Sequence, residues 1–258
     1  RSWLGGALGI GLGVAILWVI GGVFARAFSE GEGLGVNLSN LAGRGTREIL
    51  NLSVTEALGN SLRNMVVAVV ISLVIAWWLG RSRAGLVVLL PIGISPVVIG
   101  LGALVLSGYV PSALSGSWLA LPLVQSVFLT PLAFQIIAPA RRALSPDILE
   151  SARLDGANTT QVLGLIELPT LARPVVVAAA LAGLASLGEF GAASFLAYGS
   201  QETLPLVMFR LMSRPGTENL GMAMAAASIF ILIALLVVWA LSFLRSDSDP
   251  GRRDGAPA

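Results

Sequence analysis

Fifty-seven consecutive residues, Ala84 to Ala140, carry no charged side chain. A water-facing helix or strand needs polar groups on one side at regular spacing, and this run has too few to build one. In a bilayer the constraint is different. The backbone must satisfy its own hydrogen bonds, and it does so as helices of roughly 20 residues per crossing. The run is too long for one crossing. Ser107-Gly108-Tyr109-Val110-Pro111-Ser112, with Ser115-Gly116-Ser117 beyond it, is turn chemistry that splits it into spans near 85–107 and 118–138.

The same reasoning places four more spans, near 3–25, 57–79, 172–193 and 220–244. The second is interrupted only by Arg63, whose long side chain can snorkel, and the fifth carries one acid, Glu189. Trp3 to Phe24 is too long for the apolar core of a secretory signal and long enough to cross. The expected fold is therefore all-α: a polytopic membrane protein with about six transmembrane helices. Composition agrees, with 55% hydrophobic and 12% charged residues, against about 25% charged in soluble domains. Residues 1–55 read as the first span and an irregular exterior loop, 56–244 as a membrane domain, and 245–258 as a polar, disordered tail.

All 16 basic residues are Arg. With the N-terminus inside, ten fall on the cytoplasmic side and five outside, which favours an N-in, C-in topology. The arginines are scattered, without the aromatic-interleaved basic patch of a nucleic-acid binder. The chain has no His and no Cys. That removes a Ser–His dyad, thiol nucleophiles and the usual zinc ligands, so no catalytic residue and no metal site is expected. The five aspartates lie outside the spans, which excludes an intramembrane aspartyl pair. Without Lys there is no phosphate-binding Gly-x-x-x-x-Gly-Lys loop, so any ATP is hydrolysed by another subunit.

The most informative segment is the longest cytoplasmic loop, 139–173. Ser145-Pro146-Asp147 is a helix start, with Ser as N-cap, Pro at the first helical position and an acid in the first turn. The helix reads on through Glu150-Ser151-Ala152-Arg153-Leu154-Asp155 and stops at Gly156. Ile148, Ala152 and Asp155 share one side. A second short helix is expected over 158–168, ending before Pro169, and the loop as a whole forms a helix-turn-helix outside the membrane.

Glu150-Ser151-Ala152, then Asp155-Gly156-Ala157, then Ile166-Glu167-Leu168-Pro169 and Pro174, resembles the EAA loop of binding-protein-dependent ABC transporter permeases. Ser151 departs from the family's first Ala, a small residue for a small one. The resemblance extends over roughly 56–244 and includes Asn60-Ser61-Leu62 at the opening of the second span. It implies that Glu150, Ser151, Ala152, Asp155, Gly156 and Ala157 form a coupling helix that docks in a cleft of a cytoplasmic ATPase. It also implies an extracytoplasmic solute-binding protein, a second permease half, surrounding membrane lipid and residence in a bacterial inner membrane. No cofactor is expected in this chain; ATP and Mg belong to the ATPase.

Ser186-Leu187-Gly188-Glu189-Phe190-Gly191 and Thr203-Leu204-Pro205-Leu206 resemble the permeases of thiamine, iron(III), molybdate and sulfate importers. Phe209-Arg210-Leu211-Met212-Ser213-Arg214-Pro215-Gly216 leans toward the thiamine and iron(III) members. Those members are commonly one long chain with two permease halves, and a first residue of Arg1 fits the C-terminal half of such a fusion. Glu189 is expected at a gate or along the path, where a carboxylate suits a cation better than an anion. Pro91, Ser95 and Pro131 are expected to interrupt the third and fourth spans and line the path. An ion-coupled secondary transporter or channel is the alternative, and the 145–169 loop is what such a carrier would have no reason to possess.

Overall fold

The computed structural model describes residues 2–45 and 50–246. Arg1, Arg47, Glu48 and the part of the expected tail from 247 onward lie outside the described residues. Every regular element among the described residues is helical. By length and composition five helices are able to cross a membrane, or six if one bent pair counts as a single span. The all-α polytopic fold is therefore the one adopted.

Two compact units divide the chain. The first comprises residues up to Asn60 together with Tyr198–Leu235. Its elements are α1 (Ser2–Ser29), α2 (Leu34–Asn40), α11 (Leu204–Met212) and the first part of α12 (Thr217–Ser246). The loop expected to be irregular thus contains a helix, and a buried amide anchors it. Asn37 Nδ2 donates to Ala27 O at 3.0 Å and Glu30 O at 2.9 Å, where the end of α1 leaves carbonyls without helical partners. Leu41, Leu50, Leu52, Leu204, Val207 and Leu211 form an apolar core with the Met222–Ala226 stripe. Within it Glu202 is fully buried, with Oε1 3.0 Å from Arg210 Nη1 and accepting from Asn51 Nδ2.

The second unit comprises Ser61–Ala197 and the rest of α12. It holds most of α3 (Val54–Leu79), a 3-10 helix over Arg83–Gly93, then α4 (Pro96–Leu106), α5 (Ser112–Ser115) and α6 (Ala120–Arg142). After these come α7 (Pro146–Leu154), α8 (Thr159–Val162), a π-helical turn over Leu163–Glu167, α9 (Leu168–Leu187) and α10 (Ala193–Leu196). Its core is made where α3, α6 and α9 meet, around Ala76, Ala133, Phe134, Ile137 and Ala178. Trp18 (82% exposed) and Trp78 (76%) project from the spans, as side chains do that face lipid rather than water.

One interruption falls where it was expected, and two outcomes differ. The third span is broken: Val87–Gly93 and Pro96–Tyr109 meet at 108°. Pro91 and Pro96 both lack the N–H a continuous helix needs, and Ser95 restarts the helix by accepting from Val97 N at 3.3 Å. The fourth span is not interrupted, although Pro131 lies inside it. There the chain packs on both faces, and Thr130 Oγ1 ties back to Ser126 O at 2.5 Å. The helix expected to end before Pro169 instead runs on. Thr159–Leu187 is one apolar stretch, with the π turn absorbing the proline: its wider i→i+5 pattern relieves the clash of the Pro169 ring with the preceding turn.

Candidate functional site

The residues singled out around 150–157 form one continuous turn of chain. Ser145 stands at the N-cap position of α7 but its side chain makes no capping bond; Pro146 opens the helix and Asp147 lies in its first turn. Leu149, only 8% exposed, anchors the helix to the rest of its unit. Ile148 and Leu154 point outward at 53% and 82% exposure, beside exposed Glu150, Ser151, Arg153 and Asp155. The buried position is Leu149, beside the Ile148–Ala152–Asp155 side rather than on it.

Gly156 ends the helix in a left-handed conformation at φ 87°. Gly156 N donates to Arg153 O at 3.1 Å and Ala157 N to Ala152 O at 2.9 Å, the paired bonds of a Schellman stop. The small side chains of Ala152 and Ala157 thus occupy the two ends of the bond that spans more residues. Asn158 starts the next helix at once through a capping box. Its Oδ1 accepts from Gln161 N at 2.8 Å, and its own N donates to Gln161 Oε1 at 2.9 Å. Stop and start are one residue apart, so the chain reverses sharply and α7 stands as a short mixed polar and apolar projection.

The expected path residues lie elsewhere in the same unit. Pro91 and Ser95 flank the bend of the broken span, and Pro131 is buried in α6, which packs against both halves of that span. Glu189 is not inside a helix, because α9 ends at Leu187. Its carboxylate is buried and accepts from Ala192 N at 2.6 Å and Ala193 N at 3.1 Å, capping the turn that begins α10. Nearby, Ser186 Oγ donates to Gln125 Oε1 at 2.9 Å. Both Glu189 oxygens are therefore committed to the backbone. Glu189→Gln keeps one acceptor and turns an NH2 toward an N–H. Its expected cost is about 1–3 kcal/mol of stability, since charge-assisted bonds are lost. A lowered thermal midpoint of purified protein with unchanged solute selectivity checks this; altered selectivity at unchanged stability would put Glu189 on the path.

Sequence reasoning passed over a charged cluster at the base of this segment. Glu167, 5% exposed and placed by the π turn, has Oε2 2.6 Å from Arg141 Nη2 and Oε1 2.9 Å from Arg81 Nη1. Arg141 also donates to Trp77 O and lies over the Trp77 ring at 4.4 Å, and Arg142 Nε donates to Gly80 O at 3.0 Å. The available signal was an acid at the edge of an apolar run, with arginines at the ends of two neighbouring spans.

Residues 64–247 match the family described as binding-protein-dependent transport system inner membrane component. Among similar proteins, the molybdenum transport system permease protein ModB of Haemophilus influenzae is 30% identical over 206 residues, covering 73% of this chain and 90% of its own. The Escherichia coli K12 protein of the same name is 30% identical over 61% of this chain and 76% of its own. The sulfate transport system permease protein CysW of Synechocystis is 28% identical, covering 84% of this chain and 82% of its own.

Proposed function

We propose, because this chain belongs to the family of binding-protein-dependent transport system inner membrane components, that it imports a tetrahedral oxyanion of the molybdate or sulfate kind. As a member, it is the permease subunit of an ABC importer and a multi-pass membrane protein. In the proposed arrangement it pairs with a second permease half, receives solute from an external binding protein and docks α7 on a cytoplasmic ATPase. The observation that carries the docking is α7 itself, held by Leu149 yet presenting exposed Ile148 and Leu154 among charges. Apolar side chains in that setting are what a partner surface covers.

The oxyanion rests on the relatives named for molybdenum and sulfate, and on charge. The lean toward thiamine or iron(III) came from the Phe209–Gly216 stretch, with Glu189 as an acid in the path in its support; the Glu189 carboxylate accepts from Ala192 and Ala193 N–H, and the relatives are named for oxyanions. Arg63, roughly 2.5 turns into α3, lies 4.6 Å over the Trp118 ring, and a cation on that helix suits an anionic solute better than a cationic one.

The test is uptake of labelled molybdate, sulfate, thiamine and iron(III) into proteoliposomes carrying the permease, its ATPase and its binding protein. Expected is ATP-dependent uptake of molybdate or sulfate that survives collapse of the proton gradient. Thiamine or iron uptake would remove the oxyanion. Gradient-driven uptake without ATP would establish the secondary-transporter alternative. The proposed N-in, C-in orientation is read in cells: the chain has no cysteine, so one placed at Thr217 should label from outside and one at Ser151 only after permeabilisation.

A further inference from the structure

The backbone that joins α7 to the membrane-spanning part of α9 is a soft link. Glu167 closes a π turn over Leu163–Glu167, a form found mostly as single-turn bulges at functional sites. Immediately beyond, Pro169 and Pro174 each remove a helical donor. Thr170 Oγ1 donates to Ile166 O at 2.6 Å, a side-chain back-bond of the kind that bends helices. A push delivered to α7 and passed along this segment alone would be lost in bending.

A stiffer route leaves from the same point. The Glu167 carboxylate is held at both oxygens, by Arg141 from the end of α6 and by Arg81 just after α3. Arg141 is itself fixed to α3 through Trp77 O and the Trp77 ring. A two-oxygen hold fixes the carboxylate in orientation as well as position, and burial of Glu167 and Arg141 shields their pair from water.

We propose that Glu167 is the positioning residue through which movement of α7 reaches α3 and α6, with Arg141 and Arg81 as its anchors. This rests on α7 docking an ATPase. Glu167 touches neither solute nor nucleotide; it converts displacement of the 146–167 segment into displacement of the ends of two spans, leaving the chain before Pro169 and Pro174.

The experiment uses the complete complex in lipid, with single spin-labelled cysteines at Ser151 on α7 or at exposed Gln135 on α6. Spectra are compared without nucleotide and with ATP trapped. In the otherwise unaltered chain both positions change. In Glu167→Gln, position 151 should change as before while position 135 loses most of its response, and ATP hydrolysed per solute imported should rise. Arg81→Gln, which removes only the half-exposed anchor, should give an intermediate loss and guards against a Glu167 variant that fails to assemble. An undiminished response at 135 in both variants overturns the proposal. Loss at both 151 and 135 overturns it too, because Glu167 would then only shape the docking surface. If 151 does not respond even in the unaltered chain, the docking of α7 itself fails.

Discussion

Replacing Gly156 by Val should abolish ATP-driven uptake while leaving the protein in the membrane. The site is open: a β-carbon at Gly156 meets nothing within 4 Å, so there is no collision to unfold the chain. The cost is conformational. At φ 87° an L-residue is strained by about 1–2 kcal/mol, and a β-branched one by more. The chain escapes by leaving the left-handed region, which breaks the Ala157 N to Ala152 O bond and re-aims α7. A tilt of one turn is small for stability and large for a docking surface. Gly156→Asn, which tolerates this conformation, should restore most of the function. Glu150→Lys alters no packing, since Glu150 is exposed, but reverses a charge on the same surface and should weaken ATPase association. Co-purification of the ATPase and uptake at matched membrane levels decide the matter. Normal values for both Gly156→Val and Glu150→Lys would remove the coupling role from this helix.

A second large effect is expected at Gly100, for the opposite reason. Its position in α4 lies against α10, and a β-carbon there would sit 2.5 Å from Ala192 Cα and 3.3 Å from Ala192 O. Those are backbone atoms, so no rotamer change relieves the clash. Ala192 is also held by Glu189, which keeps it from moving aside. Gly100→Val should therefore separate α4 from α10 and cost at least the 1–3 kcal/mol typical of overpacking. Gly102, one turn-fraction along the same helix, is open, and Gly102→Val should be tolerated. Thermal midpoints and membrane yield of the two variants provide the comparison. Equal behaviour would mean that the α4–α10 contact is not tight in the working protein.

How much was legible follows from which interactions are local. The number of spans and their approximate places came from charge-free runs, because the penalty for a charge in hydrocarbon is decided residue by residue. The helix start at Pro146 and the stop at Gly156 were also readable, since a proline's fixed φ and a left-handed glycine act locally, although the capping bond expected of Ser145 does not form. The EAA-like spacing of the same loop pointed to the family that residues 64–247 match. Proline was readable as a missing donor but not as an outcome. Pro91 lies beside a 108° bend, Pro131 inside an unbroken helix, and Pro169 against a π turn. What differs is the packing and the side-chain bonds around each, and those come from other elements.

The acids mark the limit most clearly. By sequence Glu189 was an acid in a span and Glu167 one letter of a motif. The fold ends α9 before Glu189 and gives its oxygens to two backbone N–H groups, while it brings Arg81 and Arg141 to Glu167 across 86 and 26 positions. The sequence alone determined that this chain crosses a membrane, roughly where, and that a capped helix stands between two of its spans. Only the tertiary structure decided what its buried carboxylates do. The energy of a buried charge is set by the distance and direction of its partners, and in this chain those partners are brought close by helix packing rather than by adjacency in sequence.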